Sequence, residues 1–321
     1  MAAPLLTRAD VEKARRLIAP YLPPTPLRRA FSVPGGRARL KLECWQPTGS
    51  FKVRGALSVM ASLGPAERKR GVVAASAGNH ALGVAYAIQA LGGDIHGTLF
   101  VPETAPRAKV EKLRTFPVTV VEAGATYDDA AARAAEHAER TGAYEVHAFQ
   151  DPRTAAGQGT VALEILEQEP GTGTIVVPVG GGGLITGMAA AVKAERPDVR
   201  IVAVQPEASP SLRDSLAQGR PLLDYPARPT LADGIAGGIG EIVYRHRHLI
   251  DDVLTVAESE IEDAIVALIA QDQVVAEGSG AVGVAALRSG RLRMEDGRPV
   301  AVVITGANID ARVLGRLLGR G

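Results

Sequence analysis

The stretch that decides the fold runs from Gln46 to Ala56 and reads QPTGSFKVRGA, a polar turn that leads into an apolar helical segment. Its lysine, Lys52, should lie at a helix N-terminus, where unpaired N–H groups and the helix dipole carry partial positive charge. This environment disfavours an ammonium ion and helps to keep the amine neutral. A neutral lysine beside anion-binding backbone can form a Schiff base with an aldehyde cofactor. Taken alone, however, a lysine at a helix start is most often a solvated surface charge.

Two other stretches give Lys52 a functional context. Residues 76–80 (SAGNH) follow the apolar run 72–75, and residues 180–183 (GGGG) follow the apolar run 175–179. Each is a strand, a turn and then a helix, and ligands bind at such turns in open α/β sheets. At the four-glycine turn, residues without Cβ let the backbone close on a small anion at a helix N-terminus. The sequence therefore predicts a phosphate site.

The kind of phosphate compound follows from what the turn lacks. Gly181-x-Gly183 resembles part of a dinucleotide fingerprint, but such a site needs an acidic residue at the end of the next strand. That strand ends in Gln205. Residues 186–188 (TGM) also replace the Gly-Lys-Ser/Thr of a nucleotide-binding P-loop. A phosphomonoester that carries its own aldehyde satisfies both the glycine turn and Lys52, and pyridoxal phosphate is that molecule.

Five motifs in order resemble a known family. They are residues 47–52 (PTGSFK), 76–80 (SAGNH), 156–160 (AGQGT), 178–184 (PVGGGGL) and 305–308 (TGAN). They are similar to the successive motifs of fold-type II pyridoxal-phosphate enzymes, in the serine/threonine dehydratase and serine racemase branch. The resemblance implies an α/β fold of the tryptophan synthase beta-like type, with two three-layer open-sheet domains and the cofactor between them. It also implies a homo-oligomer, a dimer or a tetramer.

The pattern along the chain agrees with this architecture, because strands at helix-sized intervals imply right-handed parallel crossovers. We predict that residues 1–53 and 144–321 form a large cofactor-binding domain and that residues 54–143 form a smaller inserted α/β domain. Residues 219–240 contain many prolines and glycines and should form a long functional loop. The predicted strands are 40–44, 72–75, 98–101, 118–121, 175–178, 201–204, 253–256 and 300–304; the predicted helices are 8–18, 80–91, 106–114, 127–141, 156–167, 184–194, 211–218, 258–272 and 281–288.

Composition excludes several classes of protein. A chain of 321 residues that is 46% hydrophobic can bury a sizeable core, and its net charge of +1 gives no reason to expect nucleic-acid or membrane partners. The single cysteine, Cys44, rules out an internal disulfide and a cysteine-rich zinc site, and we expect it to be a buried apolar residue. Charged residues occupy the N-terminal region where a signal peptide needs an apolar run. We therefore expect a cytoplasmic protein.

The resemblance assigns roles residue by residue. Lys52 is the catalytic residue that holds the cofactor and then removes the Cα proton of a small amino-acid substrate. The cofactor phosphate is bound by Gly180, Gly181, Gly182, Gly183 and the Leu184 amide. The remaining cofactor contacts are Phe51 against the ring, Asn79 on the phenolic oxygen, Thr305 beside the pyridine nitrogen, and Gly234 and Glu277 nearby. The substrate-binding residues are Ser50, Ser76, Ala77, Gly78, Asn79 and His80.

Thr305 favours elimination as the reaction type. A hydroxyl group, unlike an aspartate, cannot stabilise a protonated pyridine, so the ring withdraws electrons less strongly. A weaker electron sink favours prompt loss of a β-leaving group over transamination. We therefore expect a dehydratase that converts a 3-hydroxy amino acid, such as L-threonine or L-serine, to a 2-oxo acid and ammonia.

Several alternatives remain open at this stage. Serine racemase needs a second acid/base, which in that enzyme is a serine at the position of Ala77, and a methyl group cannot transfer protons. The branch also binds a divalent cation through carboxylates at positions that match Gln205 and Ser211 here, so no metal is expected. A specialised dehydratase for 3-hydroxyaspartate, phenylserine or an ectoine-pathway amino acid is possible, as are a nicotinamide-dependent oxidoreductase and a catalytically silent binding protein.

Overall fold

A computed structural model describes residues 5–93, 95–294 and 297–319. The strands are β1 Leu27–Arg29, β2 Ala38–Lys41, β3 Val72–Ala75, β4 Gly97–Val101, β5 Thr119–Glu122, β6 Tyr144–Glu145, β7 Thr174–Pro178, β8 Arg200–Pro206, β9 Asp252–Val256 and β10 Val300–Val303. The helices are α1 Arg8–Ile18, α2 Lys52–Ser62, α3 Pro65–Arg70, α4 Asn79–Leu91, α5 Arg107–Arg114, α6 Tyr127–Thr141, α7 Pro152–Gln168, α8 Gly183–Lys193, α9 Ser211–Gln218, α10 Glu241–Arg245, α11 Glu258–Ala267, α12 Gly278–Arg288 and α13 Ala311–Leu318. Short 3₁₀ turns lie at Glu43–Trp45, Asp233–Ile235 and Arg247–Leu249, and a π-helical segment at Leu268–Asp272 continues α11.

The strands form two sheets. The larger has the order β1-β2-β10-β7-β8-β9 and is parallel except for the antiparallel pair of β1 and β2. The smaller has the order β5-β4-β3-β6 and is parallel throughout. Every residue of β7 and β10 is buried, as expected for central parallel strands that helices cover on both faces.

Alternate residues along each sheet enter different hydrophobic cores. In β7, Val176 packs with α11 and α12 on one face, whereas Ile175 and Val177 pack with α7 and α8 on the other. In β3, Val72 packs with α2, α4 and α5, whereas Val73 packs with α6. Each sheet is thus the middle of a three-layer arrangement, and the predicted α/β fold class is confirmed.

Element prediction succeeds where local signals are strong. Helices α1, α6 and α9 and strand β3 match their predicted bounds, and Thr7 caps α1 in a reciprocal capping box with Asp10. The predicted strand 40–44 is wrong beyond Lys41, because Leu42 leaves the extended conformation and the chain turns into a 3₁₀ helix. That turn directs Glu43 into a buried ionic cluster. Cys44 is buried as predicted, and burial, followed by the charge of Glu43, raises the pKa of its thiol to about 12.

The boundaries of the two sheets differ slightly from the predicted division of the chain. Residues 144–145 form β6, which pairs with β3 in the smaller sheet, although we assigned them to the large domain. Helix α2 begins at Lys52 and runs across the first predicted boundary. In the part of the chain that the structure describes, no helix combines the length and the apolar character needed to cross a membrane.

Candidate active site

A cavity of about 610 Å³ lies where the carboxyl ends of β3, β7 and β10 meet the start of α2. Turns and loops that follow strands of both sheets form its wall. Two smaller cavities, of about 190 and 320 Å³, border the N-terminal segment and contain none of the residues predicted for the site. The large cavity is therefore the candidate active site, at the position where open α/β sheets bind ligands.

Lys52 is the first residue of α2 and reaches into this cavity. Its Nζ atom lies 3.4 Å from the carbonyl oxygen of Ala148 and 5.3 Å from the centre of the Phe51 ring. Burial lowers the pKa of Lys52 to about 8, although the negative charge of Glu277 opposes this shift. At that pKa roughly a tenth of the amine is neutral at pH 7, far more than for an ordinary lysine, and the neutral form is the one that a nucleophile requires.

The four-glycine turn follows β7 and leads directly into α8, so the N–H groups of the helix start face the cavity region. Gly182 has φ +89°, a conformation that side chains disfavour, and a Cβ there would lie 2.3 Å from the Cβ of Val243. A Cβ on Gly181 would lie 2.4 Å from the Phe149 ring. Only glycine fits at these positions, and the backbone they expose suits the phosphate of pyridoxal phosphate.

The SAGNH turn forms another part of the wall at the start of α4. The Asn79 side chain donates to Glu277 Oε1 at 2.7 Å and accepts from Asn308 Nδ2 at 2.7 Å. The Nε2 atom of His80 lies 2.6 Å from the Val146 carbonyl oxygen, so this nitrogen carries the proton. Burial, and secondarily Lys52, lower the pKa of His80 to about 3, so the ring stays neutral at physiological pH.

Thr305 and Glu277 lie at the end of the cavity next to β10. Thr305 is buried, and its carbonyl oxygen accepts from the Phe51 amide at 3.0 Å, which connects the end of β10 to the residue before Lys52. Burial, together with the charge of Asp233, raises the pKa of the Glu277 carboxyl to about 7 in spite of the hydrogen bond from Asn79. Gly234 reaches the cavity from a 3₁₀ turn in the loop 219–240, the segment for which the sequence predicted a functional role.

The predicted site residues fall into two groups. Ser50 and Ala77 are not among the residues that line the cavity: Ser50 is fully buried and pairs through its backbone with Gly306, and Ala77 packs against the core of the smaller sheet. The residues that the structure does bring together in the cavity wall are Phe51, Lys52, Ser76, Gly78, Asn79, His80, Gly180, Gly181, Gly182, Gly183, Leu184, Gly234, Glu277 and Thr305.

Sequence reasoning missed part of the wall. Ala148 and Phe149 follow β6, and their place after a strand of the smaller sheet is the signal that could have found them. Ser279 lies near Gly234, and its buried hydroxyl has no hydrogen-bond partner within the described ranges. The mouth is also lined by residues of α6 and of the loop 219–240, namely Tyr127, Asp128, Leu223, Asp224 and Tyr225.

A buried ionic cluster anchors the helix that carries Lys52. We call it the Arg54 cluster; it consists of Arg54, Glu43, Glu164 and Lys41, all with at most 7% of the side chain exposed. Arg54 forms two hydrogen bonds with each glutamate, at 2.6 to 2.9 Å, and a fifth with Thr160. Lys41 completes the charge balance through Glu164 at 2.6 Å. The cluster joins α2 to β2, to the 3₁₀ turn after it and to α7.

The uncharged side chain of Gln205 forms hydrogen bonds that hold neighbouring elements together. Its side-chain amide donates to the carbonyl oxygen of Val179 at 3.2 Å and to the Ser211 hydroxyl at 3.3 Å, while its oxygen accepts from the Leu212 amide at 2.9 Å. Both ends of the side chain are thereby used in joining β8 to α9. Over the residues with described positions, no group of three or more His, Cys, Asp or Glu side chains could hold a metal ion.

The fold and the cavity define a pyridoxal-phosphate-dependent enzyme, and comparison with known proteins agrees. Residues 18–306 match the family model described as "Pyridoxal-phosphate dependent enzyme", and the chain belongs to this family. The family and the cofactor predicted from the sequence are thereby confirmed.

Two relatives are named L-threonine ammonia-lyase. The one from Thermotoga maritima is 45% identical over 99% of this chain and 79% of that protein. The one from Geobacter sulfurreducens is 43% identical over 88% of this chain and 69% of that protein. Among solved structures, maize serine racemase superposes with a TM-score of 0.91 at 33% identity, covering 99% of this chain and 98% of that one.

Proposed function

We propose that this protein is a pyridoxal-phosphate-dependent dehydratase that removes water and ammonia from a 3-hydroxy amino acid, with L-threonine as the first substrate to test and L-serine as the second. The observation that carries the proposal is the shared cavity of Lys52, the four-glycine turn and Thr305. The similarity to two L-threonine ammonia-lyases supports the choice of substrate.

Each part of the cavity has a role in this proposal. Lys52 would attach the cofactor and, once displaced by the substrate amine, would take the proton from Cα. Gly180 to Gly183 and the Leu184 amide would bind the phosphate. The turn of residues 76–80, at the start of α4, would bind the substrate carboxylate on backbone amides. When bound, the cofactor supplies the electron sink that makes the Cα proton acidic.

Thr305 supports elimination as the reaction. It presents a hydroxyl group and no negative charge where the resemblance expects contact with the pyridine nitrogen, so it would not hold a proton there as a carboxylate would. The resulting weaker electron withdrawal favours departure of the β-hydroxyl group. Hydrolysis of the remaining enamine would give the 2-oxo acid and ammonia.

Racemisation is the second candidate, because a serine racemase has a closely similar structure. It is disfavoured by Ala77, whose methyl group cannot supply a second proton transfer at that position. One assay separates the candidates: formation of 2-oxobutanoate from L-threonine and pyruvate from L-serine, with D-serine measured in parallel. Dehydration without D-serine supports the proposal, and D-serine as the main product would refute it. A Lys52→Ala variant with unchanged turnover would refute the role of Lys52.

Three further expectations belong to this proposal. The two sheets suggest two domains, with the second boundary moved past Glu145 so that β6 joins the smaller one. A homo-oligomeric state stays a prediction from the family resemblance, and light scattering tests it. The cytoplasmic location also stays a prediction, and cell fractionation tests it.

A further inference from the structure

We propose that the active site selects against amino acids whose side chain carries a carboxylate, and that Asp128 and Asp224 at its mouth contribute to this selection. This inference rests on the proposed function and specifies its substrate class. Among the alternatives that the sequence left open, it favours neutral 3-hydroxy amino acids over 3-hydroxyaspartate.

The charges in the cavity wall carry the argument. Four carboxyl groups line the cavity, those of Asp128, Asp224, Asp233 and the partly protonated Glu277, whose pKa burial raises to about 7, against a single amine, that of Lys52. No arginine and no second lysine is present among the lining residues that the structure describes. The amine of Lys52 is committed to the cofactor in the proposed function. A side-chain carboxylate of a substrate would therefore find no cation in the wall.

The glycine turn adds no formal positive charge to the cavity. It binds the phosphate through backbone groups and a helix N-terminus, which supply partial charges and no formal positive charge. A cofactor phosphate held there would therefore keep much of its own negative charge. The start of α4 provides one comparable place for an anion, and the α-carboxylate of every amino-acid substrate would occupy it. A second carboxylate has no equivalent place.

Asp128 and Asp224 are the residues best placed to test this idea. Both are exposed, and they belong to different elements, Asp128 to the first turn of α6 and Asp224 to the loop 219–240. None of the ion pairs found within the described ranges includes either of them. An aspartate in the first turn of a helix is common because it complements the helix dipole. That explanation covers Asp128 but not Asp224, which lies in a loop.

The size of the effect follows from Coulomb's law. Two unit charges separated by about one Debye length, roughly 8 Å, in a largely solvated mouth with an effective dielectric constant of roughly 40 to 80 repel each other enough to change an equilibrium constant by roughly two- to sixfold. Neutralising both aspartates should therefore change the preference for a neutral over an acidic amino acid by roughly four- to thirtyfold. Salt should reduce the preference in the wild-type protein, because both groups are exposed.

The first measurement compares L-asparagine with L-aspartate, which have nearly the same shape and differ in side-chain charge. Their dissociation constants for the holoenzyme are obtained from the change in cofactor absorption on titration. We expect wild-type protein to bind L-asparagine more tightly, and we expect the ratio to shrink in Asp128→Asn/Asp224→Asn and at high salt. Glu139→Gln is the matched control: it removes an exposed charge from α6 outside the cavity and should leave the ratio unchanged.

The same ratio is measured a second way, from kcat/KM for L-threonine and for L-threo-3-hydroxyaspartate. Equal preference for neutral and acidic ligands in the wild-type protein, or an unchanged ratio in the double variant, would overturn the inference. Turnover of L-threonine together with such a result would refute the charge selection alone. If no 3-hydroxy amino acid were turned over and no cofactor became attached to Lys52, the proposed function itself would fail.

Discussion

Replacing Arg54 with methionine should lower the free energy of unfolding by about 3–5 kcal/mol, the typical cost of removing one partner from a buried ion pair. In the Arg54 cluster two positive and two negative side chains are buried together. Without Arg54, the carboxylates of Glu43 and Glu164 would share the single cation Lys41, and five hydrogen bonds would be lost. Methionine fills a similar volume, so packing changes should contribute less than the uncompensated charge.

Urea unfolding of the apoprotein, followed by far-UV circular dichroism, measures this loss. The control is Arg133→Met, which removes an exposed arginine from a surface pair with Glu136 and should cost less than about 1 kcal/mol. Adding Glu43→Gln to the Arg54 variant should restore part of the stability, because it removes one uncompensated charge. A loss below about 1 kcal/mol for Arg54→Met would refute the view that this cluster anchors α2.

The stability that the ionised Glu43 contributes should depend on pH in a definite direction. Burial alone would raise the pKa of Glu43, but Arg54, Lys41 and Thr25 hold it below its ordinary value of 4.5. A carboxyl with a lowered folded-state pKa stabilises the protein above its unfolded-state pKa, and this stability is lost as the pH falls through the folded-state value. The wild-type protein should therefore lose this contribution in acid. The difference between wild type and Arg54→Met should shrink as the pH falls, because the unpaired carboxylates of the variant take up protons before those of the wild-type protein.

Two further predictions concern the cofactor site. The rate at which the apoprotein captures pyridoxal phosphate should rise with pH around a midpoint near 8. Glu277→Gln should move that midpoint to a lower pH, because the charge of Glu277 raises the pKa of Lys52. An unchanged midpoint in the variant would contradict the electrostatic coupling of the two residues. Gly182→Ala should weaken cofactor binding, measured by fluorescence titration, by roughly 1–3 kcal/mol. Gly219→Ala is its control, since Gly219 also has a positive φ but has open space around it. Equal affinities of the two variants for the cofactor would contradict the close packing of the glycine turn.

The sequence predicts the parts of the site that have a local signature. Gly180 to Gly183 and the SAGNH turn each stand between an apolar run and a helix, and that pattern places them at the carboxyl ends of parallel strands. Lys52 lies at the start of α2 for the same local reason. The two-sheet architecture is also predictable, because strands and helices alternate with regular spacing over most of the chain.

The remaining features depend on contacts between distant segments. Arg54 lies 11 positions from Glu43 and 110 from Glu164, and nothing near Arg54 in the sequence indicates that Glu164 will lie against it. The two- and three-residue strands β6 and β1 are too short to show a period of alternation. The predicted strand 40–44 ends early, at Lys41, where a 3₁₀ turn places Glu43 against Arg54. Asp224 follows no strand and reaches the cavity only through the tertiary fold.

Reduction of the holoenzyme with borohydride, followed by peptide mass spectrometry, tests the central claim most directly. The reagent fixes the cofactor to whichever amine holds it. We predict a phosphopyridoxyl group on Lys52 and no such group on the protein in Lys52→Ala. A modified peptide that contains another lysine, or a Lys52→Ala variant that still holds the cofactor covalently, would contradict the assignment of this cavity as the active site.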